Sequence, residues 1–268
     1  MRALRVMALC LLATVAVASL TADALARHDY ATQFRDHANE PPSRTFPLGT
    51  DDLGRDRFSR LLYGTRVSLL LAPVTALLAT GIAAAVGVAA GYLGGWVDRA
   101  AAGCVDLFLS LPWLFVLLTL RALLPLNISS WASLAATFLL LGLVGWASGA
   151  RVVRASAADL RDSAPILYAR GCGCGGRRLL WFHVLPNVKS VLIAQFWILV
   201  PVFLLTEANL GVLGLGVAEP MPSWGNLLSE LQNYQRIPEA PWILAPAAVL
   251  VAVVASLHFA FSSARTWE

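Results

Sequence analysis

Long stretches without a charged residue constrain the fold of this 268-residue chain more than any other feature. The four clearest are Val67–Tyr92, Trp131–Ala150, Ser190–Leu205 and Pro241–Ser263. Since about 20 apolar residues at 1.5 Å rise each cross a hydrocarbon layer of about 30 Å, these runs predict transmembrane helices. Lipid offers the backbone no hydrogen-bond partner, so helices fit such long runs and barrel strands do not. We therefore predict an all-α membrane protein.

Two further segments bring the predicted number of spans to about six. The run Gly103–Leu124 carries one charged residue near each end, where both can reach the membrane interface. Residues 1–26 place Arg2 and Arg5 before an apolar stretch that ends in Ala24-Leu25-Ala26. This pattern is typical of either a cleavable signal peptide or a first membrane helix. An uncleaved first helix gives six spans, and a cleaved one gives five.

Charged residues predict which segments face the cell interior. Residues 151–189 carry seven basic and two acidic residues, so the positive-inside rule makes this loop cytoplasmic. Residues 207–239 carry four Glu and a single Arg, which indicates the opposite side. If the N-terminus lies inside, the alternation of successive spans places residues 27–66 on that side too, although their seven Arg weaken the assignment. The predicted parts are an N-terminal anchor at 1–26, an external loop at 27–66, a transmembrane domain at 67–263 and a cytoplasmic tail at 264–268.

Composition argues against several functions. The chain is 58% hydrophobic and only 13% charged, and no basic and aromatic interleaving indicates nucleic acid binding. Cys172-Gly173-Cys174 lacks a second pair of ligands, so no metal site or other cofactor is expected. The four His are dispersed, which disfavours a membrane enzyme. The spans contain few ionisable residues, which disfavours a secondary carrier, and no phosphate-binding loop of the G-x-x-x-x-G-K-[ST] type occurs.

Four segments carry more specific information, and the first runs from Pro47 to Leu69. Its glycines permit turns, and Asp51 and Asp52 are suited to capping a helix. Residue chemistry alone predicts a turn-rich surface loop with a short surface helix at 56–63. Its distinctive residues are Gly49, Thr50, Asp51, Gly54, Arg55, Asp56 and Arg66.

The second segment, Gly91–Arg99, is a tight interfacial turn that contains Trp96. The third lies in the basic loop and combines a short helix, a glycine and a Leu-Pro-Asn ending. Gly173 permits a left-handed helix end, and Pro186 is suited to the start of the next span. Glycines in a helix cost up to about 1 kcal/mol each, so the cluster at 171–176 predicts a short helix. The residues of this third segment are Tyr168, Ala169, Arg170, Gly171, Gly173, His183, Leu185, Pro186 and Asn187.

The fourth segment, residues 207–228, is rich in small residues. Small residues let helices approach closely or let backbone line a cavity, and a simple re-entrant turn is the alternative. Its distinctive residues are Pro222, Ser223, Trp224, Gly225 and Asn226.

Together these segments resemble the second permease subunit of ATP-binding-cassette importers of the dipeptide, oligopeptide and nickel class. The resemblance runs from about residue 47 to residue 228 in the same order. It implies a type I importer bundle in a bacterial inner membrane, in which the third segment docks on the ATPases and the first and fourth are external. Two departures are Tyr168, where the family usually has Ala, and Cys172, where it commonly has a bulky residue.

The resemblance also implies partners. These are a second homologous permease subunit, two cytoplasmic ABC ATPases, an external solute-binding protein and membrane lipid, without nucleic acid. The chain itself would not be an enzyme, because its partners would hydrolyse ATP. A secondary carrier and a membrane scaffold remain alternatives, and the cargo is open between peptides and related solutes such as nickel chelates.

Overall fold

The computed structural model describes residues 2–125, 128–233, 235 and 237–262. Regular structure within these ranges is helical, apart from one isolated antiparallel bridge between Thr50 and Asp56. The predicted all-α class is confirmed. The α-helices are α1 (Arg2–Leu20), α2 (Ala22–Leu25), α3 (Arg57–Leu93), α4 (Gly95–Ser110), α5 (Trp113–Ala122), α6 (Ser130–Val144), α7 (Ala147–Arg161), α8 (Ala164–Gly171), α9 (Gly176–Leu179), α10 (Leu185–Val212), α11 (Trp224–Ser229) and α12 (Ala245–Ser262).

Five helical segments in the described ranges are long and apolar enough to cross a membrane. A sixth crossing is formed if α4 and α5, which are bent by 80° relative to each other, count as one span. The five are Ala3–Leu20, Arg57–Leu93, Ser130–Arg161, Leu180–Val212 and Pro241–Phe261.

The predicted span Gly103–Leu124 is interrupted rather than straight. Helix α4 ends at Ser110, and α5 begins after Pro112, which has φ −64° and ψ 100°. Proline has no N–H to donate to a preceding turn, and its ring disfavours a helical conformation in the residue before it. The break therefore falls at Leu111-Pro112.

The beginning of α3 corrects the prediction for residues 51–66. The expected short helix at 56–63 is the first part of a single 37-residue helix, Arg57–Leu93. Asp56, rather than Asp51 or Asp52, caps it, because its carboxylate accepts the N–H of Phe58 at 3.2 Å and that of Ser59 at 3.4 Å. Asp51 instead closes the preceding turn.

Contacts between Cα atoms divide the chain into two compact units. Unit 1 comprises Met1–Ala72, Leu124–Phe138 and Pro201–Glu268, and unit 2 comprises Pro73–Leu123 and Leu139–Val200. Within unit 1, α1 and α11 both pack against α12. Within unit 2, α4 packs against α7.

Close packing of α3 against α7 in unit 2 depends on two glycines one turn apart. A Cβ at Gly87 would lie 2.7 Å from the Ala150 carbonyl oxygen and 2.8 Å from the Val153 Cβ, and one at Gly91 would overlap the Arg154 carbonyl oxygen. Small residues spaced in this way let two helix backbones approach in a membrane.

Candidate functional site

The first predicted segment forms a buried turn rather than a surface loop. Asp51 accepts the backbone N–H of Leu53 at 3.0 Å and that of Arg55 at 2.8 Å through the same carboxylate oxygen. Gly49 and Gly54 have φ values of 69° and 75°, which side chains with a Cβ rarely adopt. Asp51 is inaccessible to solvent. The turn is therefore fixed by a side chain and two glycines.

Arginines from this turn and from the start of α3 reach acidic residues much later in unit 1. Arg55 donates to Asp51 at 2.6 Å and to Glu219 at 2.7 Å. Arg60 donates to Glu219 at 2.9 Å, and Arg57 to Glu230. Sequence reasoning missed Arg57, Arg60, Glu219 and Glu230, because their partners lie more than 150 residues away along the chain.

Glu230 lines a small pocket together with Arg57, Leu61, Trp242 and Ile243. Burial raises the pKa of the Glu230 carboxyl, and the nearby Arg57 guanidinium opposes that shift only in part. A carboxyl group in low-dielectric surroundings favours its neutral form. Glu230 is therefore the group in this pocket that is sensitive to pH.

Trp224 is the largest fully buried side chain of the fourth segment. Its indole N–H donates to the Thr65 hydroxyl at 3.0 Å, and its backbone N–H donates to the Ser68 hydroxyl at 3.2 Å. Ser223 caps α11 by accepting the Asn226 N–H at 3.3 Å, and the Asn226 amide donates to the Val217 carbonyl at 2.8 Å. These contacts join the α10–α11 connection to the part of α3 that belongs to unit 1.

Glu207 lies at the centre of the same network and is fully buried. Its carboxylate accepts from the Ser68 hydroxyl and from the Gly225 backbone N–H, each at 3.3 Å. A Cβ at Gly211 would overlap the Gly225 backbone, so two glycines allow α10 and α11 to meet. The prediction omitted Glu207. Its signal was a lone carboxylate directly after the uncharged run that ends at Leu205.

Arg66 makes a different contact from the rest of its segment. It donates to Asp23 at 2.9 Å, and the Tyr63 hydroxyl donates to the same carboxylate at 2.8 Å. The hydrogen bonds from Tyr63 and Arg66 lower the pKa of Asp23. This carboxylate therefore attaches α2 to α3.

The third segment lies in unit 2 and begins with the eight-residue helix α8. Ile166 is buried in a hydrophobic cluster, and Ala169 packs against that cluster. Tyr168 on the same helix is 79% exposed, and Arg170 is exposed too. The predicted left-handed conformation of Gly173 is confirmed, with φ 81°, although the helix itself ends at Gly171.

The rest of this segment departs from the prediction that Pro186 begins the next span. The apolar helix already starts at Leu180 with a π-turn, Leu180–Val184, in which the Leu185 N–H donates to the Leu180 carbonyl. Pro186 is the second residue of α10. Because proline brings no N–H, widening the preceding turn accommodates it without ending the helix. Asn187 donates its side-chain amide to the His183 carbonyl at 2.5 Å.

The structure thus collects the predicted residues in two groups. The distinctive residues of the first and fourth segments belong to unit 1, and residues 168–187 belong to unit 2. Among the residues that the structure describes, no three His, Cys, Asp or Glu are arranged to hold a metal ion.

Helices that cross a membrane several times, with buried polar contacts joining their connections, define a multi-pass membrane protein. Residues 81–267 match the family model described as binding-protein-dependent transport system inner membrane component. The chain is 35% identical over 222 residues to a protein of Brucella suis biovar 1 provisionally named a peptide permease, with 82% of this chain and 72% of that protein covered.

Two relatives carry a fuller name. The oligopeptide transport system permease protein OppC of Bacillus subtilis is 31% identical, over 85% of this chain and 72% of that protein. Its namesake in Mycobacterium tuberculosis H37Rv is 36% identical, over 80% and 72%. The chain therefore belongs to the binding-protein-dependent inner membrane component family, as an ATP-binding-cassette permease of the peptide importer type.

Proposed function

We propose that this permease carries oligopeptides across a bacterial inner membrane and is driven by ATPase subunits that bind helix α8. The names of the Bacillus and Mycobacterium relatives support the cargo. In this proposal the chain forms half of the solute path and hydrolyses no ATP itself. Two ATPases, a second permease and an external solute-binding protein complete the complex.

The observation that carries the coupling role is the division of α8 into a buried side and an exposed side. Ile166 is 2% exposed, whereas Leu167 and Tyr168 are 51% and 79% exposed. A short helix that is anchored on one side and presents apolar surface on the other is suited to a groove in a partner protein. Arg170, one turn after Leu167, adds an exposed positive charge.

The cluster beneath α8 provides a route for mechanical force. Ile166 packs with Val88 of α3, Val153 and Ala157 of α7, and Val188 of α10, all of them in unit 2. Packed interiors deform little, so a displacement of α8 is transmitted to these three helices. When the two ATPases bind nucleotide and close on each other, they would then move the helices that line the solute path.

Sidedness is proposed from the charges of individual segments. We place the basic segment 151–189 in the cytoplasm. We place residues 27–56 and 213–240 outside, where they would meet the binding protein. The second homologous permease and lipid would cover the exposed apolar helix faces.

The N-terminal helix is proposed to remain in the mature protein as an anchor. Ser19 and Ala22 are 2% and 0% exposed, and Asp23 is bound by Tyr63 and Arg66 immediately before Ala24-Leu25-Ala26. Intact-mass measurement of the purified protein should therefore include residues 1–26. A mass that corresponds to a chain starting at Arg27 would contradict this.

The coupling proposal is tested with Tyr168→Asp, which places a charge in the proposed ATPase contact without disturbing the cluster. Tyrosine is enriched among the few interface residues whose loss costs about 2 kcal/mol or more, so we expect capture of the ATPases to fall by roughly tenfold or more. Peptide uptake should fall with it. The matched control is Leu53→Asp, at an exposed position in unit 1.

Co-purification, uptake and thermal stability are measured for both variants and for the wild type. The proposal requires that Tyr168→Asp retains the wild-type melting temperature while it loses the ATPases, and that Leu53→Asp retains both. Normal ATPase capture by Tyr168→Asp would refute docking at α8. Uptake that follows an ion gradient with no ATPase bound would indicate a secondary carrier instead.

A further inference from the structure

Two guanidinium groups in unit 1 converge on one carboxylate. Arg55 Nη1 lies 2.7 Å from Glu219 Oε2, and Arg60 Nη2 lies 2.9 Å and 3.1 Å from the two Glu219 oxygens. Charge-assisted hydrogen bonds of this length are the strong class. The two arginines therefore form a site with the geometry of a carboxylate receptor.

Burial differs sharply between the two arginine side chains and the Glu219 side chain. The side chains of Asp51, Arg55 and Arg60 are 0%, 9% and 2% exposed, whereas that of Glu219 is 49% exposed. Asp51 orients Arg55 through its Nε at 2.6 Å. The arginines are thus held rigidly within the fold, and the carboxylate reaches them from the solvent side.

The balance of charge around Arg55 and Arg60 indicates that these two arginines need an anion at the position of the Glu219 carboxylate. Without Glu219, two arginines would face the single carboxylate of Asp51, which lies 3.9 Å from the Arg60 Nε. Among the described residues, that Nε has no hydrogen-bond partner, and the Nη1 reaches the carbonyls of Tyr30 and Pro220 at 3.5 Å and 3.4 Å. An unpaired buried charge is strongly destabilising, so an empty site would bind another anion.

We propose that Arg55 and Arg60 form a carboxylate-binding site, that Glu219 is its built-in ligand, and that an external carboxylate occupies it when Glu219 is absent. Glu219 links the connection that precedes α11 to the beginning of α3. The Glu219 carbonyl also accepts from the Ser130 hydroxyl at 3.0 Å, which fixes the backbone next to the site. The proposal is independent of the cargo and of ATPase docking.

The test is chemical rescue of Glu219→Ala in the full chain, purified in detergent. The melting temperature of this variant should be lower than that of the wild type. Propionate, which supplies the missing carboxylate, should raise it progressively over the millimolar range, because a ligand that binds only the folded state stabilises that state by RT ln(1 + [L]/Kd). Propionamide at matched concentration should have no such effect, and chloride, which lacks the two oxygens of a carboxylate, should have a smaller one.

Two comparisons complete the design. Propionate should shift the wild type no more than chloride does, since Glu219 fills the site. It should also fail to rescue the double variant Arg60→Gln/Glu219→Ala. Equal responses of Glu219→Ala to propionate, propionamide and chloride would overturn the proposal, as would a wild-type melting temperature for that variant.

A double-mutant cycle covers the case in which Glu219→Ala cannot be purified. Arg60→Gln and Glu219→Gln each replace a charged group with a neutral polar one, and each alone should lower the melting temperature. The double variant should lose clearly less than the sum of the two, because the two groups interact directly. Additive losses would show that Arg60 and Glu219 are not coupled, and the site would be rejected.

Discussion

The indole N–H of Trp224 donates to the Thr65 hydroxyl across 3.0 Å, and both residues are buried within unit 1. This contact links α11 to α3 over 159 positions of sequence. Because both groups lie away from solvent, neither can replace its partner with water. The contact therefore makes the position of α11 depend on α3.

Replacing Trp224 should destabilise the fold in two steps. Trp224→Phe removes the donor and leaves the Thr65 hydroxyl unsatisfied, at a cost of about 1 kcal/mol. Trp224→Ala also leaves a cavity, at a cost of about 3–5 kcal/mol. Thermal unfolding in detergent measures both, with Trp131→Ala as control, since Trp131 is 70% exposed. Equal effects of Trp131→Ala and Trp224→Ala would contradict the burial of Trp224.

Two glycines in α3 should respond to alanine in opposite directions. Gly87→Ala would place its Cβ 2.7 Å from the Ala150 carbonyl oxygen, and such overpacking costs about 1–3 kcal/mol. Gly81→Ala meets nothing within 4 Å and should gain up to about 1 kcal/mol from helix propensity. Melting temperatures of the two variants decide the matter. A stabilised Gly87→Ala would show that α3 and α7 are less closely packed.

Adjacent residues of α8 should separate stability from partner binding. Ala169 is partly buried against the hydrophobic cluster, so Ala169→Asp places a polar group at the edge of that cluster and should cost about 1–3 kcal/mol. Tyr168→Asp should leave the melting temperature of the isolated chain unchanged, because that side chain is exposed. If Tyr168→Asp unfolds the chain as readily as Ala169→Asp does, the orientation of α8 is wrong.

Glu230 should make stability depend on pH. Its folded pKa is raised by burial, so the folded state binds the proton more tightly than the unfolded state does. The resulting stabilisation is complete below the unfolded pKa of about 4.3 and is lost as pH rises through the folded value. Glu230→Gln, which resembles the protonated form, should remove this decline.

The measurement is the melting temperature between acidic and neutral pH for wild type, Glu230→Gln and the exposed-site control Glu239→Gln. Only Glu230→Gln should reduce the fall in melting temperature that the wild type shows as pH rises above the unfolded pKa. If removal of Glu230 instead abolishes a rise in stability with pH, the ion pair with Arg57 outweighs burial, and the direction of the shift is wrong.

Run length and helix chemistry predicted the membrane helices from sequence, because each span must satisfy its own backbone. They did not predict that the helix expected at 56–63 is the beginning of α3, continuous with the span. Arg57 and Arg60 look like surface residues in isolation, and Glu219 and Glu230, far along the chain, let them lie inside the fold. The same limitation concealed Glu207, whose partners Ser68 and Gly225 come from two other segments.

Local signals were more informative when they acted through the backbone. Gly173 adopts the expected left-handed conformation. Pro112 lies at the break in the predicted span Gly103–Leu124, whereas Pro73 and Pro201 lie inside unbroken helices. Asp51 and Asp52 were assigned as caps by residue type alone. Asp56 takes that role, because the helix begins directly after it. The coupling role of α8 and the external role of the first and fourth segments remain predictions.

The burial of Ile166 has a consequence for the glycine-rich stretch that follows it. A Cβ at Gly171, Gly173 or Gly175 would meet nothing within 4 Å, and because glycine has more backbone freedom than other residues, we expect this part of the loop to bend easily. The connection of α8 to the other helices does not depend on this loop, because Ile166 packs the middle of α8 directly with Val153 and Val188. If a partner displaces Tyr168, α8 would rotate about the buried Ile166 side chain. The displacement would then reach α7 and α10 directly, with little of it lost in bending of the glycine-rich loop.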